Sequence, residues 1–195
     1  QRILDYHARN HGWNCLSICE VLMKKIIETE RLLLRDLDPE VDAPFFLELL
    51  NSPGFIKYVG DRKVRTVEQT IQYLKDRIKL RSDHPAAGAY IVILKESNLP
   101  IGNCGFFIRP NLDYPDIGFS FLPEYEGKGY AHESCLELME IAKQHKLTRV
   151  LGITVDYNDR SIRLLEKLGL TFEKNFFMEG DPEELCLYGM NLQHE

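Results

Sequence analysis

The chain has 195 residues, 24 Lys+Arg against 30 Asp+Glu, a net charge of −6, and a composition 44% hydrophobic and 28% charged. That balance is one of an ordinary globular domain, large enough to bury a core without disulfide or metal staples. It offers no run of about 18 apolar residues for a membrane span and no Arg/Lys cluster for neutralising nucleic-acid phosphates. The cysteines Cys15, Cys19, Cys104, Cys135 and Cys186 are odd in number and scattered without a C-x-x-C. They read as free thiols in a reducing cytoplasm, and the histidines show no zinc spacing, so no metal is expected.

Residues 1–22 have mixed polarity, and a fresh start follows at Met23-Lys24-Lys25-Ile26. The leader reads either as an extension outside the domain or as a short amphipathic helix packing Leu16, Cys19, Val21 and Leu22. Residues 23–195 read as a single domain. Glu30–Asp36 is a short apolar run flanked by charge, a strand. Asp38-Pro39 offers an N-cap with Pro at the first helical position, though Pro44 could delay the start to Asp42. Phe45, Phe46, Leu49 and Leu50 give the helical stripe, which Asn51–Gly54 ends. Phe55–Val64 reads as a loop. Thr66 and Gln69 form a capping box, with Ile71, Leu74 and Ile78 carrying a second helix to about Arg81.

Strands are predicted over Ala89–Lys95, Leu99–Arg109 and Asp116–Leu122, then a helix over Gly127–His145, a strand over Arg149–Val155 and a helix over Asn158–Leu168. Leu170–Glu179 and Glu184–Leu192 close the chain as a hairpin around Gly180-Asp181-Pro182. The order β-α-α-β-β-β-α-β-α-β-β is that of a mixed α/β domain with a central sheet.

One segment carries chemistry. At Leu122-Pro123-Glu124-Tyr125-Glu126-Gly127-Lys128-Gly129-Tyr130-Ala131 a strand ends, two glycines lie one residue apart, and a long helix begins. Glycines let main-chain N–H groups face a ligand, and a helix start adds unpaired donors and partial positive charge. Together they make a site for phosphate or pyrophosphate. The spacing is not that of a P-loop, and His132 stands where a dinucleotide fingerprint needs its third glycine.

This segment resembles the Q/R-x-x-G-x-G/A acyl-CoA-binding motif of the GNAT N-acetyltransferase superfamily. Asp116-Ile117-Gly118-Phe119 with Pro123–Ser134 looks most like the RimJ/RimL branch of ribosomal-protein N-terminal acetyltransferases. Asn158-Asp159-Arg160-Ser161 through Glu166-Lys167-Leu168-Gly169-Leu170 is similar to the family's N-x-x-S-x-x-x-x-E-K-x-G helix. Glu28-Thr29-Glu30-Arg31-Leu32 is similar to its opening strand. The resemblance covers roughly Lys25–Leu192, and the three motifs fall in the family's order.

The resemblance implies a GNAT fold in which Asp116–Leu122 and Arg149–Val155 splay into a cleft for acetyl-CoA. It implies that the N–H groups of Phe121 and Leu122 meet the thioester carbonyl, that those of Gly127, Lys128, Gly129, Tyr130 and Ala131 meet the pyrophosphate, and that Asn158 meets the pantetheine arm. Ser161 would lie near the CoA sulfur, and Asp116 would act as base through water. Two positions depart from the pattern. Glu126 replaces Gln, Arg or Trp, and should point to solvent or pair with Lys128. Leu165 stands where some relatives carry an acid tyrosine. The acceptor would be a primary amine, on a protein N-terminus or a small molecule. The loop Phe55–Val64 and the acidic turn Glu179, Asp181, Glu183 and Glu184 would approach it, with Tyr58 and Tyr130 as candidate pocket walls. The implied enzyme is cytoplasmic, a monomer or homodimer, without nucleic-acid, membrane or metal partners. The alternative is a GNAT fold that binds acyl-CoA or a partner without turnover.

Overall fold

The structure is a computed structural model that describes residues 26–79, 86–179 and 182–193. The leader 1–22, with Cys15 and Cys19, lies outside the described residues, as do Arg81, Gly180 and Asp181. In chain order the described elements are β1 (Ile26–Glu28), β2 (Leu32–Asp36), α1 (Pro39–Leu50), α2 (Pro53–Tyr58), α3 (Val67–Lys79), β3 (Gly88–Leu94), β4 (Leu99–Phe107), β5 (Asp116–Phe121), α4 (Tyr130–Gln144), β6 (Arg149–Thr154), α5 (Asp159–Lys167), β7 (Thr171–Phe177) and β8 (Glu184–Asn191).

Caps and turns set the boundaries of these elements. The Asp38 carboxylate accepts from the Glu40 and Val41 amides, so α1 starts at Pro39. Pro44 is tolerated inside it. Ser52 caps a further helix, its hydroxyl accepting from the Phe55 amide behind Pro53. The start of the expected loop 55–64 is therefore helical, because Ser-Pro is a helix start signal. The Thr66 hydroxyl accepts from the Gln69 amide at the head of α3. Gln69 Oε1 accepts in turn from the Arg65 amide, one residue earlier than a standard capping box.

The strands form one mixed sheet, ordered β1-β2-β3-β4-β5-β6-β8-β7. It is covered on both faces. Neighbours along β3 alternate between two cores: Val92 packs with Cys104, Phe106, Leu138 and Val150 under α4, and Ile91 packs with Phe45, Leu49 and Leu74 under α1 and α3. Each such side chain contributes about 1.5–3 kcal/mol by leaving water. β2 is tied to α1 by a buried ion pair, in which Arg35 Nη1 donates to Asp42 Oδ2 at 2.9 Å.

Every neighbouring pair is antiparallel except β5 and β6, which run parallel. Those two are joined at one register point, Asp116 opposite Leu151. There the Leu151 N–H donates to the Pro115 carbonyl at 2.9 Å. Beyond it the strands part, so the expected splay of 116–122 and 149–155 is present, with its closed end at Asp116.

Candidate active site

The divergence of β5 from β6 leaves half of a β-ladder without a partner strand. Leu122 donates its N–H to the Ile101 carbonyl at 3.0 Å. Antiparallel pairing with β4 alternates the direction of successive amides, so the Phe119 and Phe121 N–H groups point away from β4, toward the gap. A cavity of about 750 Å³ fills this gap and continues onto the opposite face of the sheet.

At the open end of β5 the chain turns through Pro123–Tyr125 into a loop built on two left-handed glycines, Gly127 at φ 71° and Gly129 at φ 84°. Gly129 is the N-cap of α4 and has no side chain to reach back to the first-turn amides. Among the described residues, no acceptor meets the backbone N–H groups from Gly127 through His132. Six consecutive donors at a helix start make a cradle for an anionic diphosphate. Three features of this chain fit such a carrier: the bare glycine cap, these donors, and the neighbouring β5 edge.

The opening motif holds this loop in place. Arg31 Nη1 donates to the Lys128 carbonyl at 3.0 Å, and Arg31 Nε donates to Glu133 Oε2 at 2.7 Å. The Arg31 amide and the Thr29 hydroxyl both donate to Glu133 Oε1. The Arg31 guanidinium also stacks on Tyr130, 4.6 Å from the ring centre. Burial pushes the Glu133 carboxyl up, but the hydrogen bonds from Thr29 and Arg31 outweigh it and leave its pKa below the ordinary value.

Phe121, Gly127, Gly129, Tyr130, Ala131, Asn158 and Ser161 all line the cavity. Leu122 does not. Its side chain belongs to the core under α1, and its N–H is engaged by Ile101, so one amide rather than two faces the gap at the end of β5. Lys128 also stands outside the wall. Its carbonyl is held by Arg31, and its ammonium lies 5.6 Å from the Tyr125 ring centre. Glu126 pairs with Arg160 of α5 rather than with Lys128. The Asn158 side chain accepts from the Ser161 amide at 3.2 Å, capping α5. Leu165 is buried against Gly152, whose added Cβ would stand 2.5 Å from Leu165 Cδ2. That position is core.

Asp116, expected as a base working through water, sits buried in an ion pair. It is 1% exposed, and Arg109 clasps both its oxygens: Nε donates to Oδ1 at 2.7 Å and Nη2 to Oδ2 at 3.1 Å. Burial raises its pKa, with Arg109 opposing the shift. The Arg109 fork fixes the orientation of the carboxylate and occupies one acceptor site on each oxygen. Cys104 and Cys135 are fully buried, and burial pushes the Cys104 thiol up to about 12 and raises Cys135 as well. Neither is an activated nucleophile. Among the described residues no cluster of three or more His, Cys, Asp or Glu is arranged for a metal, and no helix is long and apolar enough to cross a membrane.

The family model described as an acetyltransferase (GNAT) domain matches residues 31–171. The chain belongs to the GNAT acetyltransferase family. It is 28% identical over 158 residues to the N-acetyltransferase YnaD of Bacillus subtilis, itself uncharacterized, covering 80% of this chain and 88% of that protein. A solved GNAT acetyltransferase from Bacillus anthracis superposes with a TM-score of 0.70 at 26% identity, covering 86% of this chain and 98% of that one. A ribosomal-protein alpha-N-acetyltransferase, RimL, solved with coenzyme A, shares the fold with a TM-score of 0.72 at 21% identity, covering 86% and 98%. The GNAT family uses acetyl-CoA, and the splayed strands and glycine loop lie where its sequence motifs placed them.

The second limb of this GNAT cavity lies on the other face of β5. Its wall comes from α2, the loop after it, α3 and β4, through Phe55, Tyr58, Tyr73, Phe107 and the arginines Arg62 and Arg77. Gly118 lets the Phe107 ring lie flat on β5, because a Cβ there would meet Phe107 Cε2 at 2.7 Å. Arg109 lies over the same ring, 6.0 Å from its centre. Asp116 thus anchors the arginine that covers the cavity floor. Above, Tyr58 faces Tyr157 at 6.0 Å, and the Tyr157 hydroxyl donates to Glu183 at 2.5 Å, a bond that pushes the phenol up to about 12. Glu183 and Glu184 of the acidic turn do not line the cavity. The sequence reading put Arg62 in the acceptor-side loop 55–64 without singling it out, and missed Arg77 and Phe107. They belong to unrelated segments, and only their meeting over β5 makes them a site.

Proposed function

We propose that the chain is an acetyl-CoA-dependent N-acetyltransferase that moves an acetyl group to a primary amine by direct attack in a ternary complex. The observation that carries this reading is one cavity joining two unlike surfaces. A row of unpartnered amides runs along β5 and the Gly127–Gly129 loop, and an aromatic limb lies beyond it. The diphosphate of acetyl-CoA would meet the amides of Gly127, Lys128, Gly129, Tyr130 and Ala131. Its pantetheine arm would run between β5 and β6 past Asn158, with the sulfur near Ser161.

The amine nitrogen then attacks the thioester carbon. Negative charge develops on the carbonyl oxygen, where the Phe121 N–H is a fixed donor. The C–S bond breaks as the C–N bond settles. A thiol pKa of about 8.5 makes the thiolate a tolerable leaving group, so the absence of a tyrosine at Leu165 is no obstacle. The amine's proton leaves to water in the cavity, and Asp116 serves as a positioning residue through Arg109. Direct attack fits the inert, buried Cys104 and Cys135.

The resemblance to the RimJ/RimL branch makes a protein N-terminus one candidate acceptor and a small-molecule amine the other, in a cytoplasmic monomer or homodimer. The clasped state of Asp116 supports a second reading, an acyl-CoA-binding protein without turnover. Calorimetric titration with acetyl-CoA, followed by thiol release across an amine panel, separates the two. The enzyme binds and releases CoA with at least one amine. Tight binding with no release for any amine would support the binding protein.

A further inference from the structure

The charge on the second limb is opposite to that of the protein as a whole. The chain carries a formal −6, yet among the described residues the charges over this aromatic wall without a carboxylate partner are cations: the guanidinium groups of Arg62 and Arg77 and, 4.8 Å from the Tyr58 ring centre, the Lys57 ammonium. Arg62 rests on the Val59 carbonyl, to which Nη2 donates at 2.9 Å. Arg77 lies over the Tyr73 ring, 5.3 Å from its centre. Among the described residues neither meets a carboxylate. The nearest acid in sequence to Arg62, Asp61, is held by Arg65 at 2.7 Å. The third arginine of the limb, Arg109, is neutralised by Asp116. Glu183 and Glu184, which could have supplied compensating charge, meet Tyr157 and Asn175 instead.

Two unneutralised guanidiniums beside an aromatic wall define a ligand chemistry. They repel an ammonium group, which lowers the pKa of an incoming amine and favours its neutral, nucleophilic form. They attract a planar or tetrahedral oxyanion, for which Arg is the matched donor. The rings between the arginines and β5 suit an apolar or aromatic spacer. We infer that the acceptor is a primary amine whose aromatic or apolar body carries a distal anionic group, a carboxylate or a phosphate, held by Arg62 and Arg77. This rests on the reading of the second limb as the acceptor side.

A matched series tests it: phenethylamine, its para-carboxylate, and its para-phosphate ester. The two anionic amines separate carboxylate from phosphate as the source of the charge. Their kcat/KM should exceed that of phenethylamine by about tenfold or more, as for a charge-assisted contact. R62Q/R77Q should bring the ratio close to one, and R62K/R77K should restore part of it. The N-acetylated forms of all three are also titrated by calorimetry into the CoA-loaded wild type and the R62Q/R77Q variant, which needs no turnover. A ratio near one in the wild type, or an anionic preference that survives R62Q/R77Q, overturns the inference while leaving acetyl transfer intact. If no amine is acetylated but the anionic products still bind preferentially through the arginines, this assignment stands and transfer is what fails.

Discussion

The two limbs of the cavity are built from different parts of the polypeptide. The limb along β5 and the loop presents main-chain amides, fixed by two left-handed glycines and a helix start. Side chains there are peripheral, which is why Glu126 can replace the family's usual residues and turn away to Arg160. The limb under α2 and α3 presents side chains: rings, two arginines and a clasped ion pair. Backbone recognition depends on a short local pattern and tolerates substitution around it. Side-chain recognition depends on residues brought together by packing, and it is where related enzymes with one fold can take different acceptors.

This contrast predicts unequal responses to mutation. The largest effect is expected on the backbone limb. Gly129→Glu places a carboxylate in the anion cradle at a φ of 84°, with its Cβ 3.3 Å from Arg31 Nη2. Acetyl-CoA affinity by calorimetry should fall at least about 100-fold, and the left-handed backbone should cost a further 1–2 kcal/mol or so of stability. Affinity like that of the wild type would move the carrier to another groove.

On the side-chain limb, Asp116→Asn leaves Arg109 without its partner beside a buried site. Denaturant unfolding should show a loss of roughly 3 kcal/mol. The acceptor KM should rise, and the acid limb of the kcat profile should keep its shape. If instead that limb disappears with stability intact, Asp116 is the proton acceptor.

Glu133→Gln tests the latch that holds the loop. Because the Glu133 carboxyl is depressed in the folded protein, its contribution to stability is full above the ordinary carboxyl pKa of about 4.3 and lost as pH falls through the lower folded value. The Tm gap between wild type and variant should therefore be widest near neutrality and close in acid. A gap independent of pH would mean that the charge is not what matters. The smallest effect is that of Asn158→Ala, which removes the α5 cap and should cost about 1 kcal/mol, with a modest rise in KM for acetyl-CoA.

Much of the fold was readable from short-range patterns. Asp38-Pro39, Thr66 and Asn158 marked helix starts because caps are local chemistry. The β3–β5 runs marked strands because apolar runs bounded by turns are local too. The helix Pro53–Tyr58 was missed although Ser52-Pro53 announced it, since Gly54 and Pro53 also read as a turn. At the site, the glycine loop, Asn158 and Ser161 were visible for the same local reason, and the structure puts all of them on one cavity. Leu122 was assigned a role that its N–H, engaged by the Ile101 carbonyl, is not free to play, and the Arg109 partner of Asp116 was not foreseen.

The sequence by itself determined the order of the elements apart from β1 and α2, the glycine turn at Gly127–Gly129 and the cap at the head of α5, because each is a property of a few consecutive residues. The tertiary structure decided which edge of β5 stays open, that Arg109 takes both oxygens of Asp116, and that Arg62 and Arg77 reach the same aromatic wall. Hydrogen-bond partners across a sheet and charges from a loop and a helix are set by distances in space, and spacing along the chain does not encode them.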